Sequence, residues 1–199
     1  MNEFYKNMKQ FFDEKSNNWD INLNEDKKKK IQTILDITKT KNDKKILDIG
    51  CGTGVLEEFF LKDKDCYVFA LDISKKMIEK AKDKYKDFNN VSFLEINLYD
   101  FMEKDFDLVY IYNVYPHIIE KEKFLNKLVY FLKENKRFVI AHSSSKKEIN
   151  NIHKNIKSKI SNNLLNAFDE MRFFQEYFNI DIVIDSDEFY IISGTKKEI

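Results

Sequence analysis

The run Ile46-Leu47-Asp48-Ile49-Gly50-Cys51-Gly52-Thr53-Gly54 constrains this chain more than any other stretch. Its first half is a short apolar strand, its second half a turn with three glycines in five residues, and a helix is predicted directly after it, over about 54–62. Strand, glycine-rich turn and helix in that order bring a ligand against the backbone beside a helix N-terminus. Scarcity sharpens the signal. Among 199 residues there are only four glycines and one proline, so three of the four most permissive residues stand in one loop.

Alternation continues downstream. Short β-rich runs predict strands at Lys45–Gly50, Tyr67–Asp72, Val91–Asn97, Asp107–Asn113 and Arg137–His142. Helices fit between them at about 74–88 and 121–134, the first capped by Ser74 with Met77, Ile78 and Ala81 facing inward. Such a rhythm means a parallel sheet with helices on both faces. Two helices precede it, at 2–20 and 25–40, the second with Ile31, Ile34, Leu35 and Thr38 at helical spacing. After the fifth strand, helices at about 145–160 and 164–178 lead into NIDIVIDSD and EFYIISGTK, an antiparallel pair. The expected fold is therefore α/β and Rossmann-like: seven strands, mostly parallel, closing in a C-terminal antiparallel hairpin. No composition shift divides residues 1–199, so one domain is expected, with a helical cap over 1–40 and a core over 41–199.

Charge and cysteine usage narrow the function classes. Lys plus Arg and Asp plus Glu both total 34, so no global field draws the protein to nucleic acid or to an anionic membrane. The charged, amphipathic start MNEFYKNMKQFFDEKSNNWD reads neither as a leader nor as a membrane span, and a cytoplasmic protein is expected. Cys51 and Cys66 match no zinc or redox spacing and read as thiols.

Spacing within the loop separates ligands. A dinucleotide fingerprint needs Gly or Ala at position 55, where this chain has Val55, and no Walker lysine follows. Asp48 would repel phosphate but suits a cationic amino-acid end. At these residues the chain resembles the class I S-adenosylmethionine-dependent methyltransferases, in particular small bacterial methyltransferase-domain proteins. The resemblance implies that Asp48, Gly50, Cys51, Gly52, Thr53 and Gly54 form the first donor-binding motif, with the glycines leaving room for the donor's amino-acid end. It implies Asp72, in Ala70-Leu71-Asp72-Ile73-Ser74, as acceptor of the ribose hydroxyls, with Ile73 and Met77 flanking adenine. Asn97 and Leu98 match the family's adenine contacts, with Asn97 in place of the usual Asp. FDLVYIYNVYPHI matches the fourth motif, so Asn113 lines the donor pocket. Before the fifth strand, Lys133-Glu134-Asn135-Lys136 replaces the family's Pro-Gly-Gly turn, a change expected to bear on stability.

The three histidines His117, His142 and His153 fall at or just beyond the ends of strands four and five, together with Tyr115 and the sole proline, Pro116. His117, His142 and Tyr115 are the candidate catalytic residues, since ligands in open α/β sheets sit outside the carboxyl ends of strands. Each also has a plain reading as loop, strand end or helix face. No metal ligands are assigned, and a three-histidine metal site stays an open alternative. Ser143 to Ser145 followed by Glu148 suit a helix cap. The same stretch, and the start FFDEKSNNWD, resemble a subgroup of small clostridial methyltransferases in which the first helix folds over the cleft. Phe11, Phe12 and Trp19 would be that lid, or pack on the sheet edge. A small-molecule acceptor is favoured: Asn113-Val114-Tyr115-Pro116 lacks the paired prolines of base and glutamine methyltransferases. A nucleic-acid-modifying enzyme and a silent donor-binding module remain as alternatives.

Overall fold

A strand apolar on both faces is stable only when both faces are covered. In the computed structural model, which describes residues 3–39, 43–154 and 160–198, β1 (Lys45–Ile49) is buried from Ile46 onward. It lies inside a seven-stranded sheet of order β3-β2-β1-β4-β5-β7-β6. The other strands are β2 (Tyr67–Asp72), β3 (Val91–Glu95), β4 (Phe106–Tyr112), β5 (Leu132–His142), β6 (Phe178–Asp185) and β7 (Tyr190–Lys196). Pairing is parallel from β3 through to β5, while β7 runs antiparallel to both β5 and β6. The predicted class and the C-terminal hairpin both hold.

Period-two alternation splits the core between the faces. Leu47, Ile49, Val109 and Ile111 pack with Phe124 and Leu128 of α5 (Lys121–Phe131). Ile46, Leu108 and Tyr110 pack on the other face with Ile31, Ile34 and Leu35 of α2 (Glu25–Ile37) and Ile78 and Ala81 of α4 (Lys75–Lys84). Ser74 caps α4, its Oγ accepting from the Met77 N–H at 3.2 Å.

Several predicted elements are shorter. The first helix, α1 (Glu3–Lys15), tightens into a 3-10 turn over Ser16–Asn22. The helix after the glycines is only α3 (Glu57–Phe60), because Gly50, Gly52 and Gly54 all hold φ between 56° and 81° and delay helix entry. The 164–178 prediction reduces to α7 (Ala167–Glu170) and a 3-10 turn Met171–Phe173, where packing of Phe174 and Phe178 in the core overrides local propensity. α6 (Lys146–Lys154) fills the start of the 145–160 prediction, whose residues 155–159 lie outside the described ones.

β5 begins five residues before its predicted start. Phe106 pairs with Leu132 and Leu108 with Arg137, so residues 133–136 bulge out opposite Asp107. Asn135 takes φ +61°, the conformation a glycine supplies, and Lys133 and Lys136 reach Asp107 Oδ1 at 2.9 and 3.3 Å. Against the upward push of burial, these lysines and the Lys44 and Lys45 amides hold the Asp107 carboxyl down at about 2. Gly194 also gains a reason: a Cβ there would lie 2.6 Å from the Asn179 carbonyl of the adjoining strand, beside the β6 bulge.

Candidate active site at the carboxyl ends of the strands

A cavity of about 700 Å³ opens where β1, β2 and β4 end, at the point where strand order reverses. Its floor is the glycine loop. Gly50 N–H and Cys51 N–H both donate to the Leu71 carbonyl, at 2.7 and 2.9 Å, tying the loop to β2. Of the residues predicted from sequence, Asp48, Gly50, Cys51, Gly52, Asp72, Ile73, Met77, Asn97, Leu98, Asn113 and His117 line this one cavity.

Thr53, Gly54, Tyr115 and His142 do not. The Thr53 Oγ1 donates to Asp20 Oδ1 at 2.6 Å and the Gly54 carbonyl accepts from the Tyr85 hydroxyl at 2.7 Å, so both shape the loop from behind. Tyr115 turns into the core and donates to Glu170 Oε1 at 2.5 Å, beside the Lys121 ammonium at 2.6 Å. A 3-10 turn at 115–117 separates Tyr115 from His117, and only the histidine faces the cavity. His142 is buried at the end of β5 with its ring against Tyr190, and its Nε2 has no partner among the described residues. Burial, then the neighbouring His117 and His153, push its pKa down to about 3. The glycines also differ from their sequence reading. A Cβ on Gly50 would strike Val114 at 2.4 Å and one on Gly54 would strike Tyr85 at 2.7 Å, so protein packing already forbids both. Gly52 is the least crowded of the three, with Trp19 Nε1 3.3 Å from the position of its Cβ.

Three carboxyls sit by the floor. Asp72 accepts from the Gly52 N–H at 2.9 Å and the Ser74 N–H at 2.8 Å, one on each oxygen, and burial raises it to about 6. Asp48 is 2% exposed, and burial, then Glu57, pushes it well up. Glu57, directly behind it, is fully buried and raised by burial to about 7. Sequence gave no sign of Glu57, because Glu58 beside it is the same residue type and only packing distinguishes them. Asn97 Oδ1 accepts from the Tyr99 N–H at 3.0 Å, which leaves one lone pair and its amide donors toward the cavity.

The opposite wall is neutral and polar. His117 Nδ1 lies 2.8 Å from the Ile160 carbonyl. A carbonyl only accepts, so Nδ1 carries the hydrogen and Nε2 the lone pair. Burial lowers the His117 pKa to about 4. His153 packs on it at 5.0 Å between ring centroids, and burial lowers its pKa as well. Asn113, at φ +57°, accepts from the Ser143 N–H at 3.3 Å. Ser145 and Glu148 form the predicted capping box of α6. Among the described residues no group of three His, Cys, Asp or Glu side chains is arranged to hold a metal ion.

The cap closes the third side. Phe12 packs edge-on against Trp19 at 5.7 Å and His117 at 5.1 Å, and Phe11 joins them in lining the cavity. Polar ties pin it down: Lys9 donates to the Ile73 carbonyl at 2.9 Å and pairs with Glu95 at 2.6 Å, while Asp13 accepts from the Ser74 hydroxyl at 2.6 Å.

Residues 40–191 match the family model described as a methyltransferase domain. The chain belongs to this family. It carries a methyltransferase domain on the fold that solved S-adenosylmethionine-dependent methyltransferases share. Curated relatives include malonyl-[acyl-carrier protein] O-methyltransferase 1 of Ilyobacter polytropus, 32% identical over 91 residues, covering 45% of this chain and 34% of that protein. The malonyl-[acyl-carrier protein] O-methyltransferase of Acetivibrio thermocellus is 33% identical over 112 residues, covering 54% and 39%. The match thus spans well under half the length of these relatives. In fold, the chain is similar to the N-methyltransferase NodS of Bradyrhizobium japonicum in complex with S-adenosyl-L-homocysteine, at TM-score 0.74, 15% identity and coverage of 96% and 98%. The PH0226 protein of Pyrococcus horikoshii superposes at TM-score 0.68 with 23% identity, covering 89% and 94%. The cavity suits the donor chemically. Asp48 and Asp72 line it, a match for a ligand with positive charge and a diol, and Gly52 lines it where a Cβ would crowd Trp19 at 3.3 Å. No helix among the described residues is long and apolar enough to cross a membrane.

Proposed function

We propose that the protein methylates a small acceptor whose nucleophilic atom carries a proton, and that His117 receives that proton. The observation behind this reading is the fixed tautomer: with Nδ1 committed to the Ile160 carbonyl, Nε2 is the basic nitrogen of a neutral imidazole on the cavity wall. General-base assistance of this kind contributes about 10²- to 10⁴-fold. The bound donor supplies a methyl group on a positively charged sulfur, transferred by in-line displacement.

The chain's own residues hold and orient. Asp72 keeps free lone pairs for the ribose hydroxyls, Ile73 and Met77 flank the adenine, Asn97 and Leu98 meet its edge, and Asp48 with Gly50 to Gly52 takes the amino-acid end. Asn113 continues the wall between donor and acceptor. Phe11, Phe12 and Trp19 exclude water, which strengthens every electrostatic contact inside. Uncharged polar groups on the acceptor wall, His117, His153, Ser143 and Ser144, support a hydroxyl, thiol or amine acceptor, while the cations that line the cavity, Lys15 and Lys27, sit on α1 and α2. Buried free thiols at Cys51 and Cys66 support a cytoplasmic setting.

The test is transfer of a radiolabelled methyl group from S-adenosylmethionine to panels of small hydroxyl, thiol, amine and carboxylate compounds. Turnover on one of the first three classes that falls about 10²-fold or more in His117→Gln is expected. Turnover only on carboxylates or on oligonucleotides, unchanged by His117→Gln, overturns the reading.

A further inference from the structure

An ionised carboxyl is expensive to bury without a partner, so it keeps a proton or meets a cation. Glu57 is 0% exposed, and apart from the Asp48 carboxyl beside it neither of its carboxyl oxygens has a hydrogen-bond partner among the described residues. It stands at the start of α3, within hydrogen-bonding reach of the Asp48 carboxyl, which lines the cavity while Glu57 does not. Its surroundings are mostly acidic or neutral. Asp48 on β1, Asp72 at the end of β2, the Cys51 thiol and Glu58 contribute negative or neutral groups. Tyr110 of β4 faces Asp48, and Tyr85 of α4 faces Glu57 while donating to the Gly54 carbonyl. Lys84 of α4 supplies the cationic influence on Glu57.

Resting on the donor assignment above, we propose that Glu57 is a positioning residue of the donor site: it shares one proton with Asp48 in the donor-free protein, and the cationic amino-acid end of the donor expels that proton. Two carboxyls this close and this dry cannot both ionise unaided, as in any buried carboxyl pair. An ammonium against Asp48 supplies the missing positive charge from the cavity side. The O–H bond of the pair breaks, the proton passes to solvent, and the carboxylate left facing the cavity holds the ammonium. Glu57 does not touch the cavity and acts through Asp48.

The sign follows from the raised carboxyls. Below about pH 7 the pair holds its proton until ligand arrives, so affinity rises with pH there and levels off above it. Titration calorimetry with S-adenosylhomocysteine, in two buffers of different ionisation enthalpy at one pH, counts the protons released. We expect wild type to release close to one proton near pH 6 and its Kd to tighten by up to about tenfold per pH unit below the plateau. In Glu57→Gln the amide satisfies Asp48 without a titrating proton, so release falls by half or more and the pH dependence flattens. Asp48→Asn gives the same readout through the other half of the pair, should Glu57→Gln fail to fold. Equal release in wild type and variant, or binding to wild type without release, overturns the proposal and leaves the donor assignment standing. No binding to wild type overturns both.

Discussion

Gly50→Ala is expected to destabilise the fold whether or not a ligand is present. Gly50 has φ +76°, in the left-handed region where a Cβ costs about 1–2 kcal/mol. The new methyl carbon would lie 2.4 and 2.9 Å from the two Val114 methyls, well inside contact, and overpacking of that kind costs about 1–3 kcal/mol. Together these give about 2–5 kcal/mol, a large part of the roughly 5–15 kcal/mol that a domain has to lose. With a urea m-value of about 2–3 kcal/mol/M, the unfolding midpoint followed by far-UV circular dichroism should fall by about 1–2 M. Val114→Ala separates the two causes. In the Gly50→Ala background it removes the clash and should recover part of the loss, leaving the backbone penalty, so the double-mutant cycle shows a favourable coupling of about 1–3 kcal/mol. An unchanged midpoint in Gly50→Ala, or a Val114→Ala cost identical in both backgrounds, would refute the claim that packing dictates this glycine.

Three further outcomes follow from the site and its frame. Because burial lowers His117 to about 4, His117-dependent turnover should persist at pH 5.5, where an ordinary histidine is mostly protonated; a pH-rate profile falling near 6.5 contradicts this. Tyr115→Phe should cost about 1–3 kcal/mol of stability by leaving Glu170 Oε1 to Lys121 alone, with kcat within a few-fold of wild type; a large loss of kcat without destabilisation would return Tyr115 to the chemistry. Asp107→Asn should cost about 1–2 kcal/mol, discounted for the exposed lysines that pair with it. Since the folded carboxyl is depressed from 3.8 to about 2, that difference should be full above pH 4 and vanish as pH falls toward 2, measured by urea unfolding at a series of pH values.

How far the sequence could be read depended on whether the signal was local. The strand Tyr67–Asp72 and the cap at Ser74 were legible to the residue, since β-branched and aromatic alternation and an N-cap hydroxyl act within a few positions. The start of β5 was not, because Lys133-Glu134-Asn135-Lys136 has the composition of a turn and is held as a bulge by Asp107, some 26 residues earlier in the chain. The last predicted helix failed for a related reason: long-range contacts of Glu170, Phe174 and Phe178 broke a stretch with helical periodicity. At the site, the glycine loop and Asp72 stood out as a pattern. Which of Tyr115 and His117 faces the cavity depended on the local 3-10 turn, and the burial of Glu57 on packing, neither of which leaves a mark in residue type.

The cap joins residues far apart in the chain: Lys9 to Ile73 and Glu95, Asp13 to Ser74, Asp20 to Thr53. Its docking therefore rests on long-range contacts with the ends of β2 and β3 and with the glycine loop. Trp19, the only tryptophan of the chain, rides on this cap, 41% exposed, its indole nitrogen over Gly52 and its ring beside Phe12. The protein thus carries its own optical gauge. Indole emission reports whether the cap is seated and what lies beneath it, whereas circular dichroism reports the sheet, and comparing the two probes on one sample reads the lid apart from the scaffold.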